Sequence, residues 1–207
     1  MQHLNYWQFP GFENIYLEDS YVLGCEAKKA TVEIFIEAVI TEKHPLYSQP
    51  LPGEVYCYRR MKIQFPRSQR YHLIPNPMNP IPNPDGSIDW GNIDEFFLAD
   101  DGTYHLIGEW GEIAIASDAP KLILDSILVK NGDDLIQINK DKIRALEWKA
   151  EGAITLVYED DFGNPRSAQI DRHQNAEAFA AALGYLGELH GGFVTDFTGV
   201  KELTFSK

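Results

Sequence analysis

The chain has 207 residues, of which 44% are hydrophobic and 24% charged, and this ordinary globular composition excludes disorder as the dominant state. Its 31 acidic and 18 basic residues give a formal net charge of -13. A surface this negative repels phosphate backbones and anionic lipids, so we expect neither nucleic acid nor a membrane as a partner. The charge suits a basic protein partner, although acidity also serves solubility alone.

The first ten residues contain neither the basic region nor the apolar region of a secretion signal. The most apolar stretch, Val32–Ile40, includes two glutamates and is too short to span a bilayer. We therefore expect a cytoplasmic protein. Because cytoplasmic thiols stay reduced, Cys25 and Cys57 are expected to be buried free thiols, with a disulfide between their strands as the alternative.

From Ile15 to about Ala116, apolar and polar residues alternate with a period of two, which predicts antiparallel strands. The predicted strands are Tyr21–Ala27, Val32–Ile40, Tyr56–Phe65, Ile93–Leu98, Thr103–Gly108 and Glu112–Ala116. Asp100-Asp101-Gly102 and Trp110-Gly111 are typical of hairpin corners between them. This half of the chain is expected to form an antiparallel sandwich or a partly open barrel.

Two proline-rich stretches interrupt the alternation. Five prolines lie between Leu73 and Gly91, and proline both fixes φ and removes a ladder donor, so this segment is predicted to be an extended surface loop. A second group, Pro45, Pro50 and Pro52, follows the strand that ends near Ile40. Each stretch is interpreted as a rigid connector, with the lining of a binding mouth as the alternative.

After Pro120 the pattern changes to short strands followed by one helix. The predicted strands are Ile123–Val129, Leu135–Ile138, Ile143–Lys149, Ala153–Tyr158 and Ser167–Ile170, and the tail Phe193–Phe205 is expected to add one or two more. A helix is predicted over Ala176–Leu189, with Asn175 as its N-cap and Gly191-Gly192 as its end. Its apolar stripe is Phe179, Ala182, Leu183 and Leu186.

We therefore predict a mainly β protein with an α+β C-terminal part. Residues 1–120 are expected to form an antiparallel β domain, and residues 121–207 a small sheet capped by one C-terminal helix.

Ile143–Trp148, Ile154–Tyr158 and Gly163–Ile170, followed by the closing helix, occur in an order that resembles the end of a pleckstrin-homology-like or GRAM-like module. The resemblance covers about the last third of the chain and implies a bent sheet capped by a helix. Members that bind phosphoinositides use basic residues in their first loops. Here the corresponding loop, Asn131-Gly132-Asp133-Asp134, contains two acidic residues and no basic one, so lipid binding does not carry over.

The first half of the chain, with Tyr16–Tyr21 and Pro52–Tyr58, resembles uncharacterised bacterial proteins. Small acidic proteins of this sort include the immunity proteins of toxin systems. By analogy, the resemblance implies binding to a partner protein.

No sequence motif supports catalysis or a cofactor. Glycine-rich phosphate loops and the nucleophile elbow are missing, and the six histidines show no metal-binding spacing. Cys57 with a histidine across the sheet is the one candidate nucleophile, but a strand cysteine is far more often a buried hydrophobe. We assign no catalytic residue, no metal and no cofactor.

The candidate binding residues lie in the first half: Tyr58, His72, His105, Glu109 and Trp110. Glu109 and Glu112 flank Trp110, an arrangement that suits either acid–base chemistry in a cleft or a tight turn, and the turn is the favoured interpretation. A cluster of early aromatic residues marks either a partner site or packing over a sheet edge: Tyr6, Trp7, Phe9, Phe12, Tyr16 and Tyr21.

Three functions remain open from the sequence. The first is a cytoplasmic interaction protein, immunity-like, that binds a basic protein partner through its acidic surface. The second is a small-molecule-binding barrel or a hydrolase, which requires Tyr58, His72, His105 and Glu109 to converge in one pocket. The third is a structural role as a homodimer, formed through the helix stripe or an open strand edge.

Overall fold

The structure, a computed structural model, describes residues 3–76, 81–82, 88–131, 134–149, 152–160, 162–189 and 202–206. The chain forms two compact units, Met1–Asp125 (unit 1) and Ser126–Lys207 (unit 2). Strands make up 57% of the residues that the structure describes, and the one α-helix among them lies in unit 2, so the prediction of a mainly β protein with an α+β C-terminal part is confirmed.

Unit 1 contains two main antiparallel sheets. The strands of the four-stranded sheet are β2 (Ile15–Lys28), β3 (Thr31–Ile40), β4 (Cys57–Pro66) and β11 (Lys121–Leu124), in the spatial order β11-β4-β3-β2. Those of the five-stranded sheet are β1 (Leu4–Asn5), β5 (Arg70–Pro75), β8 (Ile93–Leu98), β9 (Tyr104–Gly108) and β10 (Gly111–Ala116), in the order β1-β8-β9-β10-β5. Two further short strands, β6 (Ile81–Pro82) and β7 (Ile88–Asp89), pair with each other, and a 3-10 turn covers Tyr6–Gln8.

The core of unit 1 lies between these two sheets. Phe65 of β4 packs against Phe96 of β8, with 5.9 Å between ring centroids, and against Tyr104 of β9 at 5.8 Å. Phe9 and Phe12 join the same aromatic cluster and are buried. Each large aromatic ring removed from water contributes about 2 to 3 kcal/mol, so this cluster holds the sheets together.

One side of the sandwich is joined by backbone contacts. Tyr21 of β2 forms a bridge with Asn92, the N–H of Val22 donates to the carbonyl of Gly91 at 2.9 Å, and the N–H of Trp90 donates to the carbonyl of Val22 at 2.9 Å. In the described ranges the sheets do not close into a barrel. Unit 1 is therefore an antiparallel sandwich.

Two predictions about strand limits are wrong. The loop predicted from Leu73 begins instead inside a strand, because β5 runs to Pro75, and β6 and β7 also fall within the predicted loop. Pro75 is tolerated since β5 is the edge strand of its sheet, where a missing N–H breaks no ladder bond. The strand predicted over Ile123–Val129 is interrupted at Asp125, whose N–H donates to the carbonyl of Arg60.

Unit 2 combines a hairpin, a four-stranded antiparallel sheet and a helix. The hairpin pairs β12 (Ser126–Asn131) with β13 (Asp134–Asn139), and a 3-10 turn, Lys140–Lys142, follows it. The sheet consists of β14 (Ile143–Lys149), β15 (Ile154–Glu159), β16 (Pro165–Ile170) and β17 (Glu202–Ser206), in the order β16-β15-β14-β17. The rest of the predicted C-terminal strand segment, 193–201, lies outside the described residues.

The helix α1 spans Ala176–Leu189, as its apolar stripe predicted. Phe179, Ala182 and Leu186 are buried in the core of unit 2 against the sheet and hairpin. Asn175 lies at the predicted N-cap position, where its carbonyl accepts from the N–H of Phe179 at 2.8 Å. Its side chain accepts from the N–H of Lys130 at 2.8 Å and donates to the Lys130 carbonyl at 3.2 Å. Asn175 thus ties the start of the helix to the edge of β12. Within the described part of the chain, no helix has the length and apolar character needed to cross a membrane.

Candidate functional site

A large bulge in β2 shapes one end of the four-stranded sheet. Tyr16 lies opposite Val39 of β3, but the next paired residue of β2 is Tyr21, opposite Glu37. Four residues of β2, 17–20, therefore face the single residue Ala38. Such a bulge re-aims the side chains on either side of it, and here it places both Tyr16 and Tyr21 on the outer face of the sheet.

Buried hydrogen bonds hold the bulge in shape. The hydroxyl of Ser20, which is fully buried, donates to the carbonyl of Tyr16 at 2.6 Å and accepts from the N–H of Val39 at 2.9 Å. It thereby replaces the ladder bond that the bulge removes. On the other side, the hydroxyl of Tyr6 donates to the carboxylate of Glu18 at 2.6 Å and accepts from the N–H of Leu17 at 3.3 Å.

Four tyrosines gather at this bulged end. Tyr58 of β4 stacks on Tyr21 with 5.9 Å between centroids and meets the edge of Tyr56 at 6.3 Å. Tyr16 and Tyr58 flank Val39 in register, one on each neighbouring strand. Tyr16 is 41% exposed and Tyr56 is 36% exposed, so the cluster presents ring surface to solvent.

Carboxylates surround these rings. The hydroxyl of Tyr56 is hydrogen-bonded to the carboxylate of Asp19, and this bond raises the pKa of Tyr56. Burial raises the pKa of Tyr58, its hydrogen bond with Tyr21 adds to the shift, and the negative charges of Glu37 and Glu54 raise it further. The hydroxyls of Tyr56 and Tyr58 therefore stay protonated and neutral at physiological pH. We call the four tyrosines together with Asp19, Glu37 and Glu54 the tyrosine surface.

Two carboxylates of the tyrosine surface have no cation beside them. Within the described part of the chain, neither Asp19 nor Glu54 forms a salt bridge; Glu54 accepts a backbone N–H from Leu51, and Asp19 accepts from Tyr56. Two exposed apolar side chains, Leu51 and Val55, lie in the adjacent loop. Aromatic faces and free carboxylates side by side suit the guanidinium or ammonium groups of a basic partner.

The predicted residues His72 and His105 lie on the other sheet. Both stand opposite Ala114 of β10, one on each side, so they share the outer face of the five-stranded sheet. The ring of His105 stacks on Phe97 at 5.1 Å, and its Nδ1 lies 3.3 Å from the carboxylate of Glu112. His72, His105 and Glu112 therefore face away from the core.

The predicted residues Glu109 and Trp110 form the two-residue turn between β9 and β10, so the turn interpretation is confirmed. The side chain of Glu109 packs over Gly91. Trp110 belongs to the core of unit 1 and is only 7% exposed, and its indole N–H has no hydrogen-bond partner among the residues that the structure describes. Trp110 is therefore a structural residue of the sandwich end.

The predicted pocket is not assembled. Tyr58 lies on the outer face of one sheet, His72 and His105 lie on the outer face of the other, and Trp110 lies in the core between them. An open, polar depression lies elsewhere in the described part of the chain, lined by Gln69, Arg70, Asp101, Gly102, Ala116, Ser117 and Asp118. Among the described residues, no three His, Cys, Asp or Glu side chains are grouped to hold a metal ion.

Both cysteines are free, as predicted, but only Cys57 is buried. Its sulfur accepts from the N–H of Ser48 at 3.5 Å. Cys25 is exposed, which contradicts the expected burial. It lies in β2, an edge strand, beyond a second register shift between Val22 and Gly24, in the end of the strand where residues 25–28 are all exposed.

Sequence reasoning found Tyr58 but missed its neighbours Tyr16, Tyr21 and Tyr56 as parts of one surface. Tyr16 and Tyr21 were noted only as members of an early aromatic cluster. These residues approach Tyr58 because of the bulge in β2. The alternation of apolar and polar residues, which predicts the strand, does not show where a bulge lies. The one signal in the sequence is the polar run Glu18-Asp19-Ser20 inside an otherwise alternating strand.

Comparison of the chain with protein-family models, with curated proteins and with solved structures finds no match.

Proposed function

We propose that this chain is a protein-interaction protein whose tyrosine surface binds a basic protein partner. The observation that carries the proposal is the group of exposed tyrosine rings beside the carboxylates of Asp19 and Glu54, which have no cation of their own in the described structure. Tyrosine supplies contact area at low cost in conformational entropy, and a free carboxylate adds a charge-assisted bond to an incoming arginine or lysine.

The distribution of charge also indicates that unit 1, which carries the tyrosine surface, is the unit that binds the partner. Residues 1–125 contain 18 acidic and 9 basic residues, a net charge of -9, whereas residues 126–207 contain 13 acidic and 9 basic residues, a net charge of -4. A partner with a positive face is therefore attracted mainly to unit 1. Such steering speeds association and weakens as salt rises.

In this proposal the protein acts in the cytoplasm. Its mode of action resembles that of an immunity protein, because it covers a basic surface of its partner and catalyses no reaction. The pleckstrin-homology-like resemblance of unit 2 stays a prediction. The second function considered from the sequence, a ligand-binding barrel or hydrolase, required convergence of Tyr58, His72, His105 and Glu109. No observation favours that function, since those residues lie on separate surfaces.

The test is a quantitative capture experiment from a lysate of the source organism at low and moderate salt. Bait proteins are the wild type, the double variant Asp19→Asn/Glu54→Gln, and the matched control Asp94→Asn/Glu95→Gln. The control removes two exposed carboxylates from β8 on the other sheet, so both variants have the same net charge. We expect the wild type and the control to retain one basic protein in stoichiometric amount at low salt.

The Asp19→Asn/Glu54→Gln variant is expected to bind that protein at least tenfold more weakly, in a titration with the recovered partner. Equal affinity for both double variants would mean that net charge alone drives binding, and the tyrosine surface would lose its role. If no basic protein is captured by the wild type at either salt concentration, the proposal fails for the growth condition used.

A further inference from the structure

The edge strand β5 offers backbone groups that no described residue uses. Two observations show which of its backbone groups point toward β10. One is the register of β5 with β10, and the other is the hydrogen bond from the N–H of Asn76 to the carbonyl of Trp110. In an antiparallel pair these groups alternate along the strand. Arg70, His72 and Ile74 therefore turn their backbone groups toward β10, whereas the odd-numbered residues Tyr71, Leu73 and Pro75 turn theirs away from the sheet.

The outward groups of β5 are complementary to themselves. If a second copy lies antiparallel with Leu73 opposite its own counterpart, each Leu73 N–H donates to the Leu73 carbonyl of the other copy. Each Tyr71 N–H then donates to the Pro75 carbonyl of the other copy. Every outward N–H of the strand is satisfied in this register, and Pro75, which has no N–H to offer, supplies only an acceptor.

The side chains of β5 also favour burial. All six residues of the strand are exposed, and three of them are large and apolar: Tyr71 at 51%, Leu73 at 39% and Ile74 at 51%. In the register centred on Leu73, the Tyr71 and Leu73 side chains of both copies meet on one face of the joined sheet. An open apolar edge of this kind is otherwise a site of uncontrolled pairing.

The self-complementary register selects a second copy of this chain as the occupant, and the local charge permits the contact. Residues 55–84 contain five basic residues and not one acidic residue, although the whole chain carries -13. Two copies of so acidic a protein repel each other over most of their surfaces. β5 itself has no carboxylate, its neighbour Arg67 is already paired with Asp118, and Arg70 would lie opposite Asn76 of the other copy, so contact along β5 sets no like charges directly against each other.

We propose that the protein forms a twofold symmetric homodimer in which the β5 strands pair antiparallel about Leu73, joining the two five-stranded sheets into one. This inference is independent of the proposed function, because the tyrosine surface lies on the other sheet. The dimer would present two tyrosine surfaces in a fixed relation to each other.

The first experiment measures the molar mass of the full chain by light scattering from low micromolar to near-millimolar concentration. We expect twice the 23.5 kDa of the single chain at the upper end. Leu73→Lys places two ammonium groups against each other in the dimer and is expected to give a single-chain mass throughout. The matched control Phe162→Lys alters a residue of unit 2 that is 86% exposed and should leave the dimer intact.

The second experiment tests the register by disulfide trapping in a Cys25→Ser background, which removes the exposed native thiol. In the proposed register the Leu73 Cα atoms lie about 5.5 Å apart, within reach of a disulfide, so Leu73→Cys should form a covalent dimer on mild oxidation. The Ile74 Cα atoms lie roughly 9 Å apart in the same register, too far for the bond, so Ile74→Cys should stay uncrosslinked.

Two results would overturn the inference. One is a wild-type mass of a single chain at every concentration. The other is a dimer in which Ile74→Cys crosslinks as well as Leu73→Cys, or in which neither does, because the copies would then meet in another register or through another surface.

Discussion

Glu33 is a buried carboxylate on the outer face of the four-stranded sheet, held by three side chains. Its oxygens lie 2.8 Å from Nζ of Lys28 and 2.9 Å from Nζ of Lys62, and Gln64 donates to it at 2.8 Å. Burial opposes the ionised form of Glu33, but the hydrogen bonds from these three residues outweigh it and lower the pKa of Glu33 to about 2. Glu33 therefore stays charged throughout the physiological range.

We predict that Glu33→Gln lowers the free energy of unfolding by about 2 kcal/mol at neutral pH, because it leaves Lys62 without its anionic partner. Lys28 is half exposed, so water screens its share of the effect. The ionised carboxylate stabilises the fold above the unfolded-state pKa of 4.5, and this contribution disappears as the pH falls toward 2. Urea unfolding of both proteins at several pH values measures the difference.

The control for this prediction is Glu26→Gln. Glu26 contacts the same Lys28 at 3.1 Å, but its side chain is 53% exposed. Its loss is expected to change the stability by less than about 0.5 kcal/mol. If both substitutions lower the free energy of unfolding equally at neutral pH, the burial of Glu33 does not strengthen its contacts with Lys28, Lys62 and Gln64.

At the scale of elements, the β9–β10 hairpin positions the edge strand β5. Gly111, which follows the turn, has φ +132°, and a side chain there would collide with the carbonyl of Ile74 and approach the N–H of Asn76 to 2.8 Å. The backbones of β10 and β5 can therefore approach each other only because residue 111 has no Cβ.

We predict that Gly111→Ala costs about 3 kcal/mol of stability, from the strained φ and from the displacement of β5 together. Gly102→Ala is the comparison. Gly102 also has a positive φ, +81°, but open space surrounds its Cα, so about 1 kcal/mol is expected there. Denaturant unfolding of the two variants measures both costs, and similar values would contradict the role assigned to the close approach of β5.

Regular elements could be predicted from the sequence because each carries its own period. The helix Ala176–Leu189 and the strand pair containing Val32–Ile40 and Cys57–Pro66 have continuous periods of 3.6 and 2 over ten or more residues. The strand β5 is not predicted because Pro75 and the prolines that follow it indicate a loop, and only the position of a strand in the sheet shows whether a missing N–H matters.

The candidate site was the part least predictable. The bulge adds three residues to β2 between Tyr16 and Tyr21, an odd number, so it reverses which residues of the strand face the core. Before the bulge Ile15 and Leu17 are buried, and after it Ser20 and Val22 are buried. The second register shift, between Val22 and Gly24, reverses the faces again, so an alternation counted from either end assigns the middle of the strand, Ser20 to Val22, to the wrong face.

At the scale of the whole molecule, each unit has a hydrophobic core of its own. One cluster contains only residues of unit 1, and the other contains only residues of unit 2. Leu156 of β15 is fully buried in the second cluster, and Ile63 of β4 is fully buried in the first.

We predict that Leu156→Ala destabilises unit 2 by about 3 kcal/mol and leaves the amide protection of unit 1 unchanged, because the cavity opens in one core alone. Ile63→Ala is expected to have the reverse effect. Hydrogen exchange followed by mass spectrometry separates the two units. Loss of protection in both units from either substitution would mean that the chain unfolds as one cooperative body.

The placement of the tryptophans gives the molecule two optical probes of its own. Trp110 is buried in the core of unit 1 and Trp148 in that of unit 2, whereas Trp7 is 54% exposed and Trp90 is 39% exposed. A buried indole emits at shorter wavelength than a hydrated one. When Trp7 and Trp90 are replaced by phenylalanine, Trp110 and Trp148 remain as the fluorescent probes. Replacing one of these two as well leaves a single tryptophan, whose emission wavelength reports on its own unit without an attached dye.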